Sequence, residues 1–245
     1  MEQSHVNALV RAIGPDRFAA YLTSAGGDQD LACRLYVWDR DVAAALLADI
    51  AIAEVALRNA INTRLTAKHG ADWYTREIGL DARCRANLTT AWYRLSKNER
   101  KKPTPQTPGR VVAHLMFGFW TDLLDAGGEI STAPQSFKAD YEQMWRTTLV
   151  GAFPGGRTEA GMLGEQFTRS WTHSVAATVQ AVRNRCAHHE PLLRDIPLPG
   201  QARRISAQAG YEANMLLVRM IDRDLAAWLD ETSTVLDVLN QRPVY

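Results

Sequence analysis

Seven consecutive positions within AVRNRCAHHEPLL (residues 181–193) hold two arginines, an asparagine, a cysteine, an alanine and two histidines, shortly before Pro191. Histidine gives and takes protons near neutral pH. Arginine grips phosphate oxygens and stabilises charge that builds up on them. Asparagine can orient the imidazole or hold a ribose or phosphate. Together the three suit phosphoryl chemistry, and RNA carries its own nucleophile in the 2′-hydroxyl, so such a set could cleave it without a metal or an activated serine. A second chemistry is zinc ligation by Cys186, His188 and His189. These three fall on different helix faces, however, and the chain offers no C-x-x-C partner. The third reading is the polar C-terminus of a structural helix.

What such a site needs is a helix to hold it. Wound at about 100° per residue, residues 167–190 put Trp171, Val175, Val179, Val182 and Cys186 on one stripe that must face a core, with Thr178 at its edge. Arg183, Asn184, Ala187 and His188 fall outside that stripe over roughly 140°. Asn184 and His188, four apart, are neighbours, and Ala187 leaves space between Arg183 and His188. Pro191 disfavours a helical Glu190, which puts His188 in the last turn. His189 points toward the apolar stripe, as a core or capping histidine.

The rest of the chain reads as helix. Apolar residues recur at spacings of three, four or seven over Asp41–Lys68 and Tyr211–Asp230. Shorter helices are predicted over Val6–Ile13, Asp16–Ser24, Asp81–Ser96, Val111–Ala126 and Ser136–Val150. Ser96–Arg110 reads as an exposed basic loop, Ala126–Pro134 and Phe153–Gly161 as turns, and Ile196–Gly200 as extended. No alternating strand pattern stands out. The expectation is an all-α bundle of six to eight helices, a single domain over 1–245, with N-terminal helices at about 5–75 and a motif-bearing core at about 109–230.

Lys and Arg total 28 against 27 acids, which gives no hint of wholesale coating of nucleic acid, so any RNA or DNA site would have to be a local patch. Three widely spaced cysteines, Cys33, Cys84 and Cys186, argue against a disulfide framework and for a reducing compartment. No leader pattern and no uncharged apolar run of about 18 residues occurs, so the expected place is the cytoplasm, away from membranes.

RNRCAH (Arg183–His188) resembles the R-x4-H motif of the HEPN superfamily of helical ribonucleases and nucleotide-binding domains. Three further stretches are similar to one branch of it, the Abi-like (abortive infection) family of bacteria. They are DRFAAYLTSAGGDQDLACRLYVWD (Asp16–Asp39), AEVALRNAINTRLTAKHGADWY (Ala53–Tyr74) and GRVVAHLMFGFWTDLL (Gly109–Leu124). The resemblance spans about Gly14 to Leu198. It implies a HEPN-type helical bundle, here with additional N-terminal and C-terminal helices, that dimerises so that two motif helices meet across a two-fold axis. It implies no metal or other cofactor. Arg183 and His188 would be the catalytic pair, with Asn184 assisting. The implied reaction is RNA cleavage by 2′-hydroxyl attack, leaving a 2′,3′-cyclic phosphate and a 5′-hydroxyl. The expected setting is phage defence or a toxin-like effector, with an antitoxin or trigger protein as a possible partner. Some superfamily members act only as binding modules, so a non-catalytic RNA-, nucleotide- or protein-binding domain is the alternative.

Other residues carry two readings. Glu54 and Arg58, four apart on the Asp41–Lys68 helix, are either a pair stitching the bundle or a support behind Arg183 and His188, as His189 could also be. Tyr36, Trp38, Phe117, Phe119 and Trp120 are core at helical spacing or stack bases. Lys97, Arg100, Lys101, Lys102 and Arg110 form a solvated loop or an arm that tracks RNA phosphates. Arg203 and Arg204 cap the C-terminal helical region or meet a partner.

Overall fold

The computed structural model describes residues 2–130 and 137–244, and it is all-α apart from one two-stranded hairpin. Helices α1 (Gln3–Ile13) and α2 (Pro15–Ser24) are joined at Gly14, whose φ of 83° suits glycine, and Pro15 starts α2 at the position where its missing N–H costs nothing. They fold onto the start of α3 (Gln29–His69), burying Val6, Phe18, Tyr21, Leu31 and Leu35 in a small N-terminal cluster. Helix α3 begins at Gln29 rather than Asp41. The Asp28 carboxylate caps it by accepting from the Asp30 and Leu31 N–H groups, and nothing helix-breaking follows before Gly70. Its 41 residues span about 60 Å. Beyond the N-terminal cluster, Val42, Leu46, Ile50, Leu57, Ile61 and Leu65 form the spine of the main core.

Around that spine sit α4 (Ala82–Arg94), α5 (Lys97–Lys101), α6 (Thr107–Ala113), α7 (Phe117–Asp122) and α8 (Tyr141–Thr147), followed by a 3-10 turn at Leu149–Ala152. Sequence periodicity predicts one helix over Val111–Ala126, but the chain bends at Met116. Apolar residues from Val111 to Leu124 would cover a single straight helix all round, and the bend lets Val111, Val112, Phe117, Phe119 and Trp120 all be buried. The start predicted for α8, Ser136, and most of the turn after Gly128 lie outside the described residues.

Helix α9 (Gly156–Met162) lies where a turn is predicted. Its two leading glycines serve contact rather than turning. A Cβ at Gly155 would lie 2.3 Å from the Arg219 carbonyl oxygen, and one at Gly156 would lie 2.2 Å from the Phe167 ring.

The motif helix α10 (Arg169–Ala187) and α11 (Ala207–Ile221) pack on each other and on α3. Between them runs the hairpin β1 (Ile196–Pro197) and β2 (Arg204–Ile205), antiparallel with Ile196 opposite Ile205. The Arg204 guanidinium donates to the Asp195 carbonyl within it. Helices α12 (Arg223–Thr232) and α13 (Val235–Asn240) complete the chain. The predicted Tyr211–Asp230 helix is thus two. Asp222 leaves helical geometry and its carboxylate caps α12 through the Asp224 and Leu225 N–H groups, 3.0 Å each. With such splits the chain has more helices than the six to eight expected. Among the described residues, no helix is long and apolar enough to cross a membrane.

The aromatics weighed as base stackers are core: Trp38, Phe117, Phe119 and Trp120 are buried. Tyr36 alone of the five is partly open, edge-on to Tyr21 at 5.2 Å.

Candidate functional site

Helix α10 starts at the Thr168 hydroxyl, which accepts from the Trp171 N–H at 3.1 Å. Val175, Val179, Val182 and Cys186 are buried on the predicted stripe, with Trp171 half-buried at its end. Close packing on α11 is made possible by Gly210, where a Cβ would come within 2.7 Å of Val182.

The helix ends one residue before His188, its C-cap. The His189 N–H then bonds the Cys186 carbonyl and the Glu190 N–H bonds the Arg185 carbonyl, 3.0 Å each. This pair of bonds closes a helix through a left-handed residue, usually glycine. Here that residue is His189, at φ 55°. For a residue with a Cβ this conformation costs about 1–2 kcal/mol. It also corrects the expectation for His189: the backbone reversal carries its side chain off the apolar stripe, and it is exposed.

One side of this terminus is tied down. Asp39 of α3, only 5% exposed, accepts from the Tyr21 hydroxyl at 2.8 Å and from the N–H groups of Leu192 and Leu193 at 2.8 and 2.6 Å. Burial pushes its carboxyl above the ordinary value, against those three hydrogen bonds and the nearby Arg185, which pull it down. Arg185 donates to the Pro191 carbonyl at 2.8 Å and pairs with Glu190 at 3.1 Å. Arg17 of α2 reaches the His188 carbonyl at 3.3 Å. Between these groups and α3 lies a cleft of about 420 Å³ lined by Tyr21, Tyr36, Asp39, Cys186 and His189. Burial pushes the Cys186 thiol up to about 12, so it stays protonated and is a poor metal ligand. Among the described residues, no group of His, Cys, Asp or Glu is arranged to hold a metal ion.

The other side is open. Arg183 and Asn184 are half-buried and His188 is exposed. The Arg183 guanidinium has no carboxylate partner among the described residues, and neither the Asn184 amide nor the His188 ring bonds within them. The other half-buried arginines all have partners, though not all carboxylates: Arg169 pairs with Glu142 and Arg219 with Glu159 at 3.0 Å each, Arg100 bonds backbone carbonyls, and Arg58 bonds the Asn59 amide.

The chain's residues 16–194 match the family model described as "Abi-like protein". The chain belongs to the Abi-like protein family. Among curated proteins and among solved structures, none matches it. The Abi-like match runs from the start of α2 to just past Leu193, so it takes in both ends of the Asp39 clasp and the whole motif helix.

Within this Abi-like chain the remaining candidates are dispersed. Glu54 and Arg58 flank the core spine, both half-buried, and form no ion pair with each other; Arg58 Nε bonds the Asn59 amide oxygen at 3.3 Å instead. Asp39 holds the chain just past α10 through Leu192 and Leu193, and Glu54 lies fifteen residues further, about 22 Å along α3. The structure therefore does not bring it to the end of the motif helix.

The basic segment is exposed, as predicted, but ordered. Arg100 donates to the Tyr93 and Leu95 carbonyls at 2.8 and 2.6 Å and lies over the Tyr93 ring, while Arg110 pairs with Glu99 at 2.9 Å. Arg100 thus ties α5 to the end of α4, and Arg110 ties α6 to α5. Lys97, Lys101 and Lys102 remain exposed at the surface. Sequence reasoning missed Asp39, Tyr21 and Arg17 as positioning groups. Asp39 closes the quoted LYVWD stretch, and an aspartate amid tryptophan, tyrosine and leucine was the available signal.

Proposed function

We propose that this Abi-like protein is a metal-independent endoribonuclease of the HEPN type, acting in phage defence or as a toxin-like effector. The observation that carries the reading is the half-buried Arg183 guanidinium, which among the described residues has neither a carboxylate nor a hydrogen-bond partner, beside an amide and an imidazole equally unbonded within them. A half-buried cation with no protein partner suits an anionic ligand, and the Asn184–His188 pair adds proton transfer and orientation at the same place.

In this reading Arg183 holds the scissile phosphate and Asn184 orients it or the imidazole. The 2′-hydroxyl loses its proton, its oxygen bonds to phosphorus, and the P–O5′ bond breaks. The leaving oxygen takes a proton to become the 5′-hydroxyl of one fragment, and the other fragment ends in a 2′,3′-cyclic phosphate. His188 handles one of the two proton transfers. A homodimer apposing two motif helices would supply a second imidazole for the other. An antitoxin or trigger protein would then act by covering or opening this pair of helices.

The test is incubation of wild type and His188→Ala with total RNA in EDTA, reading both fragment ends. Cyclic phosphate ends from wild type alone support the reading. Equal cutting by both takes His188 out of the chemistry and sinks the reading; no cutting by a dimeric wild type supplied with phage-infected lysate as trigger sinks it too and favours a binding module.

A further inference from the structure

A second groove, about 260 Å³, begins at the motif and runs back along α10. Its floor is His173, Gln180 and Asn184, so it extends about 16 Å from the motif's own asparagine. Asp122 of α7 forms one wall, and Pro199 and Gln201 of the hairpin loop form the other. The amides of Gln180, Asn184 and Gln201 and the ring of His173 make no side-chain hydrogen bond among the described residues. Among the described residues the Asp122 carboxylate is met by one cation, the edge of Arg83, at 4.0 Å. Polar groups in a concave site generally find partners, and a set left open is complementary to a ligand that supplies donors and acceptors.

The chemistry of the set is specific. Each amide offers a donor and an acceptor side by side, the pattern that reads base edges. A carboxylate accepts from an exocyclic amino group. An imidazole and a proline offer flat faces to a ring. The volume lies below the about 300–1,000 Å³ of sites for drug-sized ligands and suits one planar base. Gly118 of α7 sits against Gln180, where a Cβ would approach Nε2 to 3.0 Å, so the glycine leaves the amide its place. Burial, Asp125 and Asp81 raise the Asp122 carboxyl, against Arg83; burial lowers His173.

We propose that this groove is a nucleobase subsite that selects the base of the RNA nucleotide next to the cleaved phosphate, with Gln180, Asn184 and Asp122 reading its edge. The proposal rests on the ribonuclease reading above. Asn184 then belongs to both the motif and the subsite.

The test measures binding of the four nucleoside 3′-monophosphates to wild type, Gln180→Ala, Gly118→Ala and His188→Ala, alongside cleavage of short RNAs that vary one base at the cut. Wild type should bind one base at least about tenfold tighter than the weakest, the discrimination of one bidentate contact. Gln180→Ala should bring the four within about twofold, Gly118→Ala should reduce the ratio with the amide still present, and His188→Ala should keep it while abolishing cleavage. Equal binding of all four by wild type, or a ratio unchanged in Gln180→Ala, overturns the subsite even where wild type cuts RNA. A ratio lost in Gln180→Ala without any RNA cutting keeps the groove as a nucleotide site and removes the ribonuclease.

Discussion

Arg183 and Arg185 stand two residues apart on one helix and meet opposite fates. Arg185 faces the N-terminal bundle, where its guanidinium is spoken for by the Pro191 carbonyl and Glu190, and where Asp39 collects three donors. Arg183 faces the side on which the side chains of His188, Asn184, Gln180 and His173 have no hydrogen-bond partner among the described residues. Satisfied polar groups rigidify a fold, whereas groups left to solvent are free to meet a ligand. One side of α10 thus serves the structure, and the other is kept for something that arrives.

That contrast is open to direct attack. Arg183→Ala should lower RNA cleavage about 10²–10³-fold with little change in Tm, the size of removing one group that stabilises transition-state charge. Arg185→Ala should do the reverse, costing about 1–2 kcal/mol, or about 2–8 °C in Tm for a chain this long. If Arg183→Ala melts early at full activity, the division between the two sides is wrong.

Larger than Arg185→Ala on the closed side is Asp39→Ala, which orphans two backbone N–H groups and a tyrosine hydroxyl and should cost about 3 kcal/mol or more by urea unfolding. Asp39→Asn sharpens the same point through pH. Burial raises this carboxyl in the folded chain, so between its ordinary value near 4 and the raised one the folded state binds more protons than the unfolded state. Wild type should therefore lose stability as pH climbs through that window, and Asp39→Asn should lose less. A steeper fall in the variant would reverse the assignment.

The smallest effect is expected at His189. His189→Gly relieves the left-handed backbone and should gain about 0.5–1 kcal/mol, after the entropy that glycine loses on folding. A loss of stability instead would mean that the histidine ring holds the cleft.

The motif side of this contrast was legible in the sequence and the clasp side was not, for a physical reason. Val175, Val179, Val182 and Cys186 repeat at helical spacing, so a wheel alone separates them from Arg183, Asn184 and His188. Asp39 has partners 18, 153 and 154 residues away, and no local pattern encodes such a pairing. The direction of His189 failed because the wheel assumes a helix that the chain leaves one residue earlier. Gly155 and Gly156 look like a turn in sequence because glycine signals both turning and close approach, and only the neighbours Arg219 and Phe167 tell which.

The span of the clasp also sets an order in time. Ribosomes add about 5–20 residues per second, so Asp39 emerges roughly 8–30 s before Leu192 and Leu193 can reach it. Until then the terminus of the motif helix has neither its anchor in α3 nor α11 to pack on. The segment bearing His188 acquires its final shape only once α11 has also been made, so a chain that stops short of it carries the residues of the site without the site itself.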